Sequence, residues 1–347
     1  QRLRGAGVEA VVHDSARVEP SDASLAAAVA LLTSCGTDEP TGTAATAPDD
    51  GHYPLTTTSC GEDVTIEAEP TDVVLLKSAW VPYLDTLGVL DHVTAKAGAY
   101  PQGYYDDETN AAVEGIDSLT DRMDSSGHLL ISKEAVVARE PDLVLGQVEN
   151  LDRASLAELG IPLLEVGGLC PTGGPDPSFE AIGTELEELG RVFHREDEAA
   201  KAARDLEERV ETITASVPSE EDRTAAVLYP TVGGGTTYAY GSRSMADPQL
   251  EAAGLTNVYA DVDERVFEVT TESLLEEDPD VVVLLYSDGD PAKVEDALTA
   301  LPGAERLTAV RDDAVITQLF NFTEPASPLA VDGLERMVEE LATGDAR

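Results

Sequence analysis

The side chains that could do chemistry fall into two groups, one abundant and uninformative, the other sparse and placed. Sixty-eight Asp and Glu residues make any local carboxylate pair a poor guide to a site. The five histidines (His13, His52, His92, His128 and His194) stand far apart, none in a His-x-x-x-His metal doublet. Ser244 and Ser287 lie outside any Gly-x-Ser-x-Gly elbow. The glycine-rich run Gly233–Gly241 lacks the Gly-Lys-Ser/Thr of a phosphate loop and the spacing of a dinucleotide fingerprint, and reads as a loop presenting two tyrosines. No nucleophile, base, cofactor or directly bound metal can be named, so an enzyme is not the expectation.

Aromatic and basic residues, by contrast, gather where strands should give way to helices. Lys77 and Trp80 follow one apolar run, and Tyr100, Tyr104 and Tyr105 follow the next. Tyr229, Tyr238, Tyr240 and Arg243 follow the first strand of the second half, Arg265 precedes a later helix, and Phe320 follows the last strand. Only 5% of the chain is aromatic, so this placement points to a bulky ligand stacked on rings and held by Arg or Lys. For any single ring, core packing accounts for the residue equally well.

The elements that must position these residues are written around a repeated stretch. Ile131–Leu145 and Val269–Val283 each read as a Ser/Thr-started helix, a Pro-Asp turn and a buried strand, with Glu134 and Glu272 at matching places near the helix starts. A β-hairpin is expected around Cys60, with its turn at Gly61–Asp63. Strands are expected at Val73–Leu76, Val93–Ala97, Pro162–Val166, Val281–Tyr286 and Val315–Leu319, alternating with helices, and Ala99–Gly127 reads as a long loop. Between the two halves, Ala199, Ala203, Leu206, Val210, Ile213 and Val217 form a helical stripe. A helix over Glu196–Ser216 would be about 30 Å long, enough to cross between lobes. The expected fold is α/β: two Rossmann-like lobes with parallel sheets, residues 53–177 and 218–347, joined through a helical segment, 178–217, by one long backbone helix.

The formal charge of −46 excludes nucleic acid and anionic lipid surfaces as partners and suits a salty medium. Cys35 closes Leu32-Thr33-Ser34-Cys35 after the apolar run Leu25–Leu32, which is too short to span a bilayer. That pattern resembles a bacterial lipobox, making residues 1–35 a signal peptide and Cys35 the acylated residue, although Asp14, Glu19 and Asp22 stand where a basic leader is usual. Residues 36–52, rich in Thr, Ala, Pro and Asp, read as a disordered tether. Cys60 and Cys170 remain as an even pair, a disulfide in an exported protein or else two buried thiols.

Together, the lipobox, tether, two α/β lobes and single linking helix resemble the solute-binding proteins of bacterial ABC importers for ferric siderophores, haem and cobalamin. The order of Val73–Leu76, Leu87-Gly88-Val89-Leu90-Asp91, the two Glu-to-Pro-Asp motifs and Leu307-Thr308-Ala309-Val310 carries the resemblance. It implies an extracytoplasmic, lipid-anchored monomer that closes only slightly on its ligand. It also implies that Glu134 and Glu272 dock on arginines of the permease. Of the small-molecule chelates the family binds, a ferric siderophore held by Arg243, Arg265 and the tyrosines ranks first, ahead of haem and cobalamin. An extracytoplasmic enzyme on the same two-lobed fold is the alternative.

Overall fold

Continuous Val/Leu runs bounded by turn residues must bury both faces, and here they form the centres of two sheets. The computed structural model describes residues 51–123, 129–172, 174–218, 223–287 and 289–343. Cys35, with the signal peptide and most of the tether expected over residues 1–50, lies outside the described residues. A hairpin of β1 (Leu55–Ser59) and β2 (Glu62–Ile66) comes first. Its turn is Cys60-Gly61, one position earlier than the sequence suggests, because both residues take the left-handed backbone that a two-residue hairpin turn requires (φ 53° and 75°).

Strands β3 (Val73–Leu75), β4 (Val93–Ala97), β5 (Asp117–Thr120), β6 (Leu143–Leu145) and β7 (Leu163–Leu164) build a wholly parallel sheet in the order β5-β4-β3-β6-β7. The period of two divides its core. Val73 and Leu75 enter one apolar cluster, and Val74 and Leu76 enter the cluster on the other face.

The second sheet comprises β8 (Thr224–Pro230), β9 (Thr237–Tyr240), β10 (Thr256–Asn257), β11 (Val266–Val269), β12 (Val281–Tyr286) and β13 (Val315–Leu319). Its order is β11-β9-β8-β12-β13, with β10 beside the start of β8. Here the expectation of a parallel sheet needs correction. β8, β12 and β13 are parallel, but β9 runs antiparallel to both β8 and β11. The glycine-rich loop is short enough to fold β9 straight back on β8 as a hairpin, where a parallel crossover would need a dozen or more residues. Both sheets belong to one compact unit.

The expected loop Ala99–Gly127 is also corrected: it contains a helix (Asp107–Gly115) and the edge strand β5. The helix is started by Asp106, whose side chain accepts from Thr109 N, and buries little beyond Val113, so it has almost no apolar period to read.

The two motif copies coincide in detail. Ser132 and Thr270 cap their helices, Lys133–Val137 and Thr271–Glu277, accepting from Ala135 N and Ser273 N. Glu140 and Asp278, each just before the proline, both take the left-handed conformation (φ 52° and 41°); Asp278 caps the end of its helix, whereas Glu140 stands two residues past the cap Ala138. Asp142 then accepts from the backbone N–H groups of Thr71 and Asp72, and Asp280 from the backbone N–H and hydroxyl of Thr224. Each Pro-Asp turn thus fastens the start of its own sheet's central strand, β3 or β8. This is a structural reason for the pair in both halves.

The linking helix runs Glu196–Ser216 as expected. Ala199 packs in the core of the first lobe, Leu206 touches the cores of both, and Ile213 packs in that of the second. It lies against the helix Phe179–Val192, and its Arg209 pairs with Asp332 (2.7 Å) and Glu335 of the C-terminal helix Pro328–Thr343. The disulfide Cys60–Cys170 ties the hairpin to the segment after β7.

Candidate ligand-binding cleft

Parallel strands deliver their following loops to one edge of the sheet, and in both lobes those loops line a shared cleft of about 510 Å³. The first lobe contributes Leu76–Ala79 after β3, Gly98, Ala99, Pro101 and Tyr104 after β4, Gln147–Glu149 after β6, and Glu165 after β7. From the second lobe come Ser287 after β12 and Phe320, Asn321 and Pro325 after β13. Tyr104 Oη accepts from Asn321 N at 3.1 Å, and Asn321 Nδ2 donates to Ser78 Oγ at 3.0 Å, so the floor is hydrogen-bonded across the lobes.

The predicted residues divide sharply. Lys77, Tyr104 and Phe320 line the cleft. Tyr229 stands at its edge, its hydroxyl 3.0 Å from Ser287 Oγ and its ring edge-on to Phe320. Tyr238 is exposed and lies across from Tyr229 in the β8–β9 ladder. Trp80 is not at the site: it is 1% exposed within the first lobe's core, where its size serves packing. Tyr240 is likewise a core residue of the second lobe, 3% exposed, supporting Phe320 from behind at 6.5 Å. Tyr100 turns its hydroxyl onto the carbonyls of Leu75 and Ala97, tying together the ends of β3 and β4. Burial pushes the Tyr100, Tyr104 and Tyr240 phenols well above their ordinary range, so all three stay neutral.

The cations are each matched by a carboxylate. Lys77 Nζ donates to Glu165 Oε2 at 2.6 Å, and Glu165, nearly fully buried, also accepts from the N–H groups of Gln147 and Val166. Burial raises the Glu165 carboxyl while the Lys77 charge pulls it down. Arg265 donates to the buried Glu324 at 2.6 Å, which accepts from Met245 N as well, and again burial raises the carboxyl against the arginine's opposing pull. Arg243 reaches Asp176 at 2.5 Å and Asp263 at 3.9 Å. Neither arginine lines the cleft. The expectation of bare arginines clamping an anion is therefore corrected for Arg243 and Arg265. Their partners were invisible among so many acids, although the Glu324-Pro325 step before a helix start was a signal that could have been weighed.

Glu134 and Glu272 are exposed in the first turns of the two motif helices, one on each lobe. Both positions also suit the positive end of a helix. Beyond the predicted set, the cleft is lined by Met123, Leu129, Val148, Leu169 and Pro171, an apolar surface that sequence pattern alone did not mark.

A two-lobed α/β chain with a loop-lined cleft between its sheets and a rigid helical link is a solute-binding protein in design. The chain belongs to the periplasmic binding protein family, whose model matches residues 73–318. It is 54% identical to a protein of an ABC-type Fe3+-hydroxamate transport system from Saccharomonospora viridis, with a TM-score of 0.79 over 84% of this chain and 99% of that one. A periplasmic binding protein from Veillonella parvula (18% identity, TM-score 0.68, 83% and 97% covered) shares the fold. So does a periplasmic haem-binding protein from Vibrio cholerae (16% identity, TM-score 0.61, 78% and 99% covered). Comparison with curated proteins gives no match. The family is made of solute-binding proteins and acts outside the cytoplasm. Among the described residues no helix is long and apolar enough to cross a membrane.

Proposed function

We propose that this chain captures an uncharged ferric hydroxamate chelate in the interlobe cleft and delivers it to the permease of an ABC importer. The observation that carries the ligand class is the matching of Lys77, Arg243 and Arg265 to carboxylates, in a protein whose formal charge is −46. Three singly charged hydroxamates cancel the charge of Fe3+, whereas three doubly charged catecholates leave an anion that this surface repels. Rings of Tyr104, Tyr229 and Phe320 and the apolar wall of Met123 and Leu129 suit a compact, weakly charged complex. The relative of 54% identity belongs to an Fe3+-hydroxamate system, which agrees with this choice.

Glu134 and Glu272 serve as the docking pair, offering one carboxylate from each lobe to permease arginines. The protein acts as a monomer held at the outer face of the cell membrane by an acyl chain on Cys35.

Equilibrium titration of the purified protein with a ferric trihydroxamate, a ferric tricatecholate and haem tests the ligand class. Saturable binding of the hydroxamate complex, at least about tenfold tighter than the others, is expected, and tighter binding of catecholate or haem would overturn the assignment. Replacing Glu134 and Glu272 by Ala should stop uptake in cells while leaving that affinity unchanged. Undiminished uptake would remove the docking role.

A further inference from the structure

The strand ends that build the cleft also build a second hollow beside it. Tyr104, Ser287 and Phe320 line the cleft, while their chain neighbours Gly103, Tyr286 and Leu319 line a separate groove of about 450 Å³. Tyr286 and Leu319 are register partners on the parallel strands β12 and β13, so their side chains stand side by side on one face of the second sheet. From the first lobe Tyr100 and Pro101 supply the facing wall. Ala99 and Pro101 border both hollows, so the groove opens directly off the cleft and, like it, is shared by the two lobes.

The chemistry of the groove is not that of the surface around it. In a chain of formal charge −46, it has no charged side chain among its described lining residues. Its walls are a leucine, a proline and two tyrosine rings. The Tyr100 hydroxyl is committed to the carbonyls of Leu75 and Ala97. Tyr286 is partly buried, and its hydroxyl has no hydrogen-bond partner among the described residues, so the ring is seated and the O–H is left to donate. Gly103 keeps the passage from the cleft low, since a Cβ there would stand 2.7 Å from Leu319 Cδ1. Such walls suit methylenes laid against the rings and one amide carbonyl accepting from the phenol.

Resting on the hydroxamate reading above, we propose that this groove seats the trailing arm of a linear ferric trihydroxamate, with its methylenes on Tyr286 and Leu319 and an amide carbonyl on Tyr286 Oη. The metal centre stays in the cleft. A linear chelator carries a free end beyond its last hydroxamate, and that end leaves the cleft over Gly103. A cyclic chelator has no free end to place there. Tyr286 and Gly103 therefore select linear over cyclic chelates without touching the iron or its three hydroxamates.

The test is fluorescence-quenching titration of the full chain with two ferric complexes of one linear trihydroxamate. One keeps an N-acetylated aminoalkyl arm at its free end, and the other is truncated there to a methyl group. The parent should bind the armed complex about tenfold tighter, roughly what two buried methylenes contribute. Tyr286→Ala, which removes the wall, and Gly103→Leu, which fills the passage, should each abolish that preference. Both should leave the affinity for the truncated complex unchanged, which also shows that the variants fold. Tyr286→Phe should retain part of the preference through its ring. Equal binding of the two complexes by the parent would overturn the proposal, as would a preference that survives both Tyr286→Ala and Gly103→Leu. A loss of affinity equal for both complexes would overturn it too, because these residues would then act on the metal centre. Failure of either complex to bind the parent at all would instead strike the ligand class itself, and the groove's role with it.

Discussion

Replacing Lys77 by Met should destabilise the folded chain by about 3 kcal/mol, because it strands a buried carboxylate. The Lys77 ammonium is 2.6 Å from Glu165 Oε2, and the two side chains are 25% and 1% exposed. Breaking a buried pair from one side costs about 3–5 kcal/mol, and the partial exposure of Lys77 places this case at the lower end. The N–H groups of Gln147 and Val166 remain as partners but carry no full charge. Burial already raises the Glu165 carboxyl, and loss of the lysine removes the main opposing influence. The deficit should therefore shrink as pH falls through that raised value and the carboxyl takes up a proton. Urea unfolding followed by Trp80 fluorescence measures it, since Trp80 is the sole tryptophan and is buried in the same lobe. The double variant Lys77→Met/Glu165→Gln should recover most of the loss. A Lys77→Met protein within about 0.5 kcal/mol of the parent, the range of an ordinary surface substitution, would refute the reasoning, as would a loss that the double variant does not repair.

Glu185, half-buried with Gly167 N donating to it at 3.0 Å, is pushed up to about 8 by burial, with the nearby Glu165 charge adding to the effect. Its folded-state value stands above the ordinary 4.5, so the stability it contributes is complete below about 4.5 and is lost as pH rises through about 8. Thermal melts should fall as pH rises from about 4.5 to about 8, and Glu185→Gln should flatten that fall; an unchanged profile would contradict the assignment. Gly333→Ala should cost at least about 1–3 kcal/mol, because a Cβ there would stand 1.8 Å from the Phe322 carbonyl oxygen, where the C-terminal helix presses on the cleft-floor segment. A chemical-denaturation midpoint equal to the parent's would show that the helix can move aside.

Much of the architecture was legible because burial on both faces writes itself as unbroken apolar runs. Val93–Ala97, Val281–Tyr286 and Val315–Leu319 are strands with the expected ends, and the stripe from Ala199 to Ile213 marks the linking helix. The Glu134 and Glu272 repeat was readable too, since the same N-cap, left-handed residue before the proline and Pro-Asp clamp recur in each lobe. What stayed hidden had no such periodicity. Strand β5 is a polar edge, and β9 follows a glycine run that reads as a loop. In the cleft, ring position was partly legible, but aromatic residues serve cores as readily as ligands, so Trp80 and Tyr240 read the same as Tyr104 and Phe320. The charge state of the cleft was not legible at all. It depends on which few of 68 acids, notably Glu165 and Glu324, are folded against the cations.

The central claim, a cleft built for an uncharged ferric chelate, is tested most directly by a charge series on one ligand. A linear ferric trihydroxamate with a terminal amine can be used as the free amine, the acetylated form and the succinylated form, which are cationic, neutral and anionic with the same metal centre. Their dissociation constants, measured by fluorescence quenching at fixed ionic strength, should place the cationic and neutral forms close together and the anionic form several-fold weaker, with the gap narrowing as salt is added. Tightest binding of the anionic form would contradict the account, because it would require an unmatched cation in the cleft.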